Sequence, residues 1–142
     1  MILKFRVPGP PQGKARARTV TNPHTGMTTS YTPEKTVLYE NLVKISYMEQ
    51  LGRKSFEKGE AISVKILAGF PVPASASKKR TNQMLSGTIR PTKKPDADNI
   101  SKCILDALNG IAYHDDAQVV SLEVEKIYQK EPAVIVFIRS MS

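Results

Sequence analysis

The sequence predicts a single α+β domain in which a mixed, mainly antiparallel sheet packs against two main helices. Two hydrophobic patterns alternate along the 142 residues. Short segments with a period of two residues indicate strands, and two longer segments with helical spacing indicate helices. The chain is 40% hydrophobic, which is enough for one packed core, and its length leaves little room for a second core of ordinary size. We therefore expect one domain over residues 1–142.

The first third of the chain predicts a strand, a basic loop and a helix, in that order. Residues 2–7 alternate apolar and basic side chains, as a half-buried strand does, and prolines end the pattern. Residues 13–32 begin with basic residues, continue with threonine, asparagine and glycine, and predict an extended loop. A helix should run from Thr32, which can cap it, to Gly52, which can end it. We expect its apolar stripe to pack on the sheet. The stripe consists of Val37, Leu38, Leu42, Ile45 and Met48.

The middle of the chain predicts a second strand followed by a basic insertion. Residues 61–70 place an apolar residue at every second position from Ile62 to Phe70, and prolines follow. Residues 74–95 hold six Lys and Arg and no acid, so we expect them to lie outside the core. A short helix within this insertion should end at Gly87.

The last third predicts a second helix and two strands. Residues 99–108 have helical spacing, and Asn109 with the following glycine ends the pattern. Residues 118–128 and 133–138 predict strands that a short turn joins into a hairpin. The apolar stripe of the helix consists of Ile100, Ile104, Ala107, Leu108 and Ile111.

Composition narrows the class of protein. The one cysteine, Cys103, excludes an internal disulfide and a cysteine-based zinc site, and it fits a reducing compartment. Charged residues near the N-terminus do not fit a signal peptide, and the longest apolar run, residues 133–138, is far short of a membrane span. We therefore expect a cytoplasmic protein without a membrane partner.

Charge is segregated along the chain. The net charge is +8, but residues 1–95 carry 17 Lys and Arg against 5 Asp and Glu, a net +12, whereas residues 96–142 carry 4 against 8, a net −4. A solvated lysine-rich surface is the ordinary cause of such a surplus. Its separation into two regions favours nucleic acid as the partner, ahead of an anionic membrane surface or an acidic protein.

The acidic region contains a candidate metal site. Asp98 is predicted to cap the second helix, with Lys102 one turn later on the same polar side, and Asp96 is expected to point the same way because strand-like residues alternate. An acid from the pair Asp115 and Asp116 would complete the set. Hard oxygen ligands of this kind select magnesium, with manganese as a substitute.

Each part of this cluster also has an ordinary structural interpretation. Asp98 alone is more typical of a helix cap than of a metal ligand. Asp115 and Asp116 precede a strand and could form a turn. Lys102 and Asp106, four residues apart, could form an exposed ion pair worth about 0.3 kcal/mol. Together, these residues indicate a metal site more specifically than any one of them does alone.

Residues 94–110 and 115–119 resemble the RusA family of Holliday-junction resolvases, particularly its phage and prophage members. Residues 13–18 and 31–33 add a weaker likeness, so about a third of the chain carries the resemblance. It implies a small α/β homodimer that binds four-way DNA junctions and, with magnesium, makes paired symmetrical nicks. The sequence departs from the shortest members of the family in its longer basic segment, residues 74–95, and in a slightly shorter turn after Leu108.

The resemblance also implies roles for individual residues. Asp96, Asp98 and Asp116 would be the catalytic, metal-binding carboxylates, Lys102 the catalytic lysine, and Asp115 a further metal ligand. We expect the basic residues to contact DNA. They are Lys14, Arg16, Arg18, Lys78, Lys79, Arg80, Arg90, Lys93 and Lys94.

The sequence therefore predicts a magnesium-dependent, structure-selective endonuclease in a bacterial cytoplasm, close to the nucleoid and without an organic cofactor. Two alternatives stay open. A non-catalytic, basic DNA-binding accessory protein would use the same acids only as caps and turns. An RNA nuclease would use the same metal chemistry.

Overall fold

The computed structural model describes residues 1–141, which contain six strands, three helices and one short 3-10 turn. No helix in this part of the chain is both long and apolar enough to cross a membrane. The strands are β1 (Ile2–Pro8), β2 (Arg18–Thr21), β3 (Thr28–Tyr31), β4 (Ile62–Pro71), β5 (Val119–Gln129) and β6 (Ala133–Ser140). The helices are α1 (Glu34–Leu51), α2 (Lys78–Leu85) and α3 (Ala97–Leu108), and the 3-10 turn is Asp116–Gln118.

Four strands form the main sheet in the order β1-β6-β4-β5. The pairs β1–β6 and β6–β4 are antiparallel and β4–β5 is parallel, so the predicted mixed sheet is confirmed. The predicted hairpin of β5 with β6 is wrong, because β4 lies between them. Strand β4 buries its whole apolar side, and it lies inside the sheet with a paired strand on each edge. Strand β5 carries the exposed polar residues Ser121, Glu123 and Glu125, so it is suited to the edge of the sheet.

Helices α1 and α3 cover one face of the main sheet and share a continuous core with it. The predicted stripe of α3 is confirmed as core, since Ile100, Ile104, Ala107 and Leu108 are all buried. From the sheet, the same core receives Leu3, Phe5 and Val7 of β1 and the alternate residues of β4 and β6. In β1 and β4, the residues that face inward are therefore those that the alternating sequence pattern predicts.

Helix α1 buries a different face from the one predicted. Its buried residues are Thr36, Tyr39, Val43, Ser46 and Tyr47. The predicted stripe faces outward, with relative exposures of 41% for Val37, 60% for Leu38, 53% for Ile45 and 58% for Met48. Tyr47 packs on β1, where its ring and that of Phe5 meet edge to face at 5.2 Å, and Tyr39 is buried in the same core. Tyrosine, threonine and serine do not register as apolar in the sequence pattern, so the pattern selected the wrong face.

The predicted basic loop contains a second, small sheet. Strands β2 and β3 pair antiparallel from Arg18 with Tyr31 to Thr21 with Thr28, and all eight strand residues are exposed. The turn is closed by the Gly26 amide, which donates to the Asn22 carbonyl at 2.8 Å, and Gly26 has the positive φ of 68° that favours glycine. The hairpin therefore projects from the body of the protein.

The predicted short helix in the basic insertion is confirmed as α2, which begins at Lys78. Ser77 caps it by accepting a hydrogen bond from the Arg80 amide at 3.2 Å. The insertion is not wholly outside the core, since Met84 is buried, α2 contacts β5, and Lys126 donates a hydrogen bond to the Lys93 carbonyl. The basic segment is thus held against the edge of the sheet.

Candidate active site

Helix α3 begins two residues earlier than predicted, and this changes the setting of the motif acids. Asp96 is the N-cap residue, with an extended backbone (φ −68°, ψ 153°), and Asp98 lies in the first helical turn. The predicted start at Asn99 and the predicted cap at Asp98 are both wrong. Because Asp98 is already helical, strand-like alternation cannot align it with Asp96.

Three motif side chains at this end of α3 have no protein partner. Within residues 1–141, the side chains of Asp96, Asp98 and Lys102 form neither a hydrogen bond nor an ion pair, and all three are exposed. Asp98 and Lys102 lie one turn apart on the same side of the helix. Neither carboxylate caps the helix, so the structural interpretation of Asp98 as a cap does not hold.

Lys14 joins α1 to α3 through an ion-pair cluster. Its Nζ lies 3.2 Å from Oε1 of Glu40 and 3.2 Å from Oδ2 of Asp106. The alternative ion pair of Lys102 with Asp106 is therefore wrong. Burial lowers the pKa of Lys14, but its hydrogen bonds with Asp106 and Glu40 outweigh that effect, and the net pKa lies above the ordinary 10.5. Lys14 was predicted to contact DNA, yet the structure gives its charge two partners within the protein.

Residues 12–15 are held between α1 and α3. A Cβ on Gly13 would lie 3.1 Å from Cβ of Pro95 and 3.3 Å from Cβ of Asn99, so a side chain would crowd this approach. The Lys14 amide donates to the Asn99 carbonyl at 3.3 Å, and the Ala15 amide donates to Oγ1 of Thr36 at 3.1 Å. These contacts hold Lys14 in place and bring residues 12–15 alongside the motif.

A cleft of about 360 Å³ opens where these segments meet. Asp96 supplies its carboxylate, and three lysines, Lys14, Lys35 and Lys94, supply positive charge. The remaining lining comes from Gln12, Gly13, Ala15, Thr36, Pro95 and Asn99. A carboxylate beside several cations suits a site that receives both a phosphate group and its counterion.

Asp115 and Asp116 are organised by the 3-10 turn at the opposite end of α3. Oδ1 of Asp115 accepts the Ala117 amide at 3.0 Å and caps the turn, so its predicted turn role is confirmed. The Asp116 amide donates to Oδ1 of Asn109 at 3.1 Å. Burial raises the pKa of Asp116, and its hydrogen bond with Asp115 and the charge of Asp106 raise it further. The Ala117 amide and the hydrogen bond with Asp116 lower the pKa of Asp115.

The structure does not gather the predicted metal ligands into one cluster. Within residues 1–141, no three acidic, histidine or cysteine side chains lie close enough to hold a metal ion. Asp96 and Asp116 flank opposite ends of α3, a helix roughly 18 Å long. The available donors nevertheless fit magnesium in kind, because this ion binds one or two carboxylates and completes its shell with water and substrate phosphate oxygens.

The other predicted DNA contacts lie on exposed surfaces. Arg16 precedes the projecting hairpin and Arg18 begins it. Lys78, Lys79 and Arg80 form the exposed first turn of α2. Arg90 donates from Nε to the Gly87 carbonyl at 3.2 Å, and Lys93 and Lys94 are exposed just before the motif. None of these basic residues forms an ion pair within residues 1–141.

Cys103 is a packing residue, as predicted. Its side chain is fully buried in the core, and burial, followed by the charge of Glu40, raises the pKa of its thiol to about 12. A protonated, enclosed thiol is a poor nucleophile and a poor metal ligand.

Comparisons with known proteins show the family of this chain. Residues 8–139 match the family model described as endodeoxyribonuclease RusA. This chain belongs to the RusA family, whose members are endodeoxyribonucleases that act on branched DNA junctions. It is also similar to the uncharacterized protein YqaN of Bacillus subtilis (strain 168). The two are 36% identical over 141 residues, which cover 99% of this chain and 97% of that protein.

Proposed function

We propose that this chain is a magnesium-dependent, structure-selective endodeoxyribonuclease that binds four-way DNA junctions as a homodimer and resolves them by paired, symmetrical nicks. The observation that carries the proposal is the state of the motif at the start of α3. Asp96, Asp98 and Lys102 are exposed and have no protein partner within residues 1–141, so they are available to substrate. This availability is what a catalytic role requires and what a capping role would remove.

Each motif residue has a distinct part in the proposed reaction. Asp96 and Asp98, at the start of α3, and Asp116, with Asp115 beside it at the other end of the helix, would hold one or two magnesium or manganese ions. The bound ion would polarise the scissile phosphate and lower the pKa of a water molecule. The Lys102 ammonium, one turn beyond Asp98, offsets the negative charge that develops on the phosphate or on the leaving oxygen. Lys94, which lines the cleft with Asp96, positions the phosphate.

Two unpaired basic surfaces support DNA as the substrate. The first 33 residues contain no acid, and the exposed hairpin lies within them. Lys78, Lys79 and Arg80 occupy the first turn of α2, where the helix dipole is itself positive. Three cations at that position repel one another and the dipole, and phosphate groups would relieve this repulsion. We therefore propose that the hairpin arginines and this turn contact the DNA backbone.

The catalytic proposal is tested with a junction-cleavage assay. Asp98→Asn preserves shape and removes one metal-binding charge, so nicking should fall by about two orders of magnitude or more while junction affinity is equal or higher. Glu125→Gln on the exposed side of β5 is the matched control and should cut normally. The substrates are a fixed junction, a mobile junction, a linear duplex and RNA, each with Mg²⁺, Mn²⁺ or EDTA.

The outcomes separate the candidate functions. Magnesium-dependent nicking of junctions in preference to duplex supports the proposal, and near wild-type cutting by Asp98→Asn removes Asp98 from the site. Junction binding without nicking in any metal would identify an accessory protein, and preferential cutting of RNA would identify an RNA nuclease.

The DNA-binding proposal is tested through salt dependence. Replacing Lys78, Lys79 and Arg80 together by Ala should weaken binding to all DNA forms and flatten the salt dependence, by about one slope unit for each phosphate group that the variant no longer binds. The matched control replaces Arg53, Lys54 and Lys58, which are exposed cations beyond α1, and changes the net charge equally. An unchanged slope in the α2 variant, or an equal change in the control, would place α2 away from the DNA.

A further inference from the structure

The outward face of α1 is the largest unexplained feature of the surface. Val37, Leu38, Ile45 and Met48 lie on a single helix face and each is more than 40% exposed, while the opposite face fills the core. Leu42 is half-buried between them. We propose that this stripe is a two-fold interface on which α1 of a second copy of this chain packs antiparallel. The inference rests on the proposed function, because paired cuts need two sites, and it names the surface that joins them.

The spacing of the stripe fits a helix–helix contact. Leu38, Leu42 and Ile45 are separated by four and three residues, which is the spacing of a coiled-coil seam, and Met48 follows on the same exposed face. Such a seam is narrower than the stripe a helix presents to a sheet, and it suits a partner of the same shape. Large apolar side chains gathered on one exposed face also mark an interaction surface more often than a solvated one.

Flanking charges select a second copy and an antiparallel orientation. Lys35 and Glu49 are fourteen residues apart, which places them within about 40° of each other on the helix and on the same flank of the stripe. Neither forms an ion pair within residues 1–141. In an antiparallel pair, Lys35 of each copy faces Glu49 of the other, twice by symmetry. A parallel two-fold pair would place the two flanks on opposite sides of the contact, where Lys35 and Glu49 of different copies do not meet.

This arrangement also orients the two candidate sites. Lys35 lines the Asp96 cleft, so the flank that carries Lys35 marks the side on which the cleft opens. A two-fold axis perpendicular to both helices keeps that flank on one side of the dimer and exchanges the helix ends. The two clefts then open on the same side, about one helix length or roughly 27 Å apart. Both sites could therefore engage one junction.

The uncovered face of the main sheet is a weaker candidate for the interface. Some of its apolar residues are covered by long polar side chains, although Ile2 is 68% exposed. Nζ of Lys4 lies 5.5 Å from the centre of the Phe137 ring, and Lys65 pairs with Glu123 at 3.5 Å. Such side chains cover apolar surface while their charges stay in water. The stripe of α1 has no comparable covering.

The test compares two isoleucines. Ile45→Glu places a charge in the stripe, and Ile2→Glu places the same charge at a site on β1 that is 68% exposed. Light scattering of the full-length chain should give twice the 15.7 kDa of one chain for the wild type and for Ile2→Glu, and one chain mass for Ile45→Glu. Circular dichroism should show the same fold in all three. Lys35→Glu should weaken the dimer, and adding Glu49→Lys should restore it.

The outcomes distinguish the interface from the nuclease. A wild-type monomer, both free and on junction DNA, overturns the interface, and so does an Ile45→Glu variant that remains a dimer. If Ile45→Glu is monomeric but the wild type cuts no junction, the interface stands and the proposed function fails. If the wild type resolves junctions and Ile45→Glu does not disrupt its dimer, the proposed function stands and the proposed interface fails.

Discussion

Helices α1 and α3 lie side by side on one face of the sheet, yet they use their apolar residues in opposite ways. Four of the five residues of the predicted α3 stripe are buried, with Ile104 and Leu108 at 0% exposure, and Ile111, just beyond the helix, is half-buried. The predicted stripe of α1 is outside, and two tyrosines with Val43 take its place in the core. The comparison shows that an apolar stripe in the sequence predicts a helix face suited to burial. It does not predict whether that face packs in the core of the same chain or against another molecule.

The largest expected effect comes from truncating one isoleucine in each helix. Ile104→Ala in α3 should lower the free energy of unfolding by about 2–5 kcal/mol, because it leaves a cavity in the core. Ile45→Ala in α1 should change it by less than about 0.5 kcal/mol in dilute protein, where the stripe faces water. Urea denaturation at low protein concentration measures both values. Equal losses would mean that the α1 stripe packs within the single chain.

A smaller effect should follow from breaking the link between the helices. Lys14→Met leaves the half-buried carboxylates of Glu40 and Asp106 without their shared cation, so we expect a loss of about 1–3 kcal/mol at neutral pH. Lys44→Met, on α1 and without an ion pair in the described residues, is the control and should be nearly neutral. Urea denaturation of both variants measures the difference.

The same ion pair predicts a pH dependence. The pKa of Lys14 is raised in the folded state, so its contribution to stability is complete below the ordinary 10.5 and is lost as pH rises through the folded value. The stability difference between wild type and Lys14→Met should therefore shrink only at strongly alkaline pH. A difference that already disappears near pH 8 would contradict this link.

The smallest expected effects distinguish the two tyrosines that α1 buries. The Tyr47 hydroxyl donates to the Lys54 carbonyl, so Tyr47→Phe should cost about 1 kcal/mol. The Tyr39 hydroxyl is buried with no hydrogen-bond partner among residues 1–141, so Tyr39→Phe should be neutral or slightly stabilising. Thermal unfolding of both variants measures the difference, and a reversed order would show that Tyr39 has a partner in solution.

Local pattern predicted the elements well where each one buries its own apolar residues. The inward phase of β1 and β4 and most of the stripe of α3 followed directly from alternation or helical spacing. The pattern failed where burial depends on tyrosine and small polar residues, as in α1. It also failed for the hairpin from Arg18 to Tyr31, whose exposed threonines show no inward side.

The candidate site was only partly predictable. The motif residues at the start of α3 could be named from the sequence, but the cluster of Lys14, Glu40 and Asp106 could not, because its members are up to 92 residues apart. Gly13 was the one available signal, since a glycine before a basic run can mark a close approach of two chain segments.

Residue identity and spacing were enough to predict the family, the motif at the start of α3, the segregation of charge and the inward phase of β1 and β4. These properties depend on residue identity and on spacing within a single element. Three other features became visible only in the folded chain: β4 separates β5 from β6, Lys14 neutralises Asp106, and the stripe of α1 faces outward. Those features depend on contacts between segments that are far apart in the sequence. The spacing of residues within one element does not indicate which distant segments will pack together.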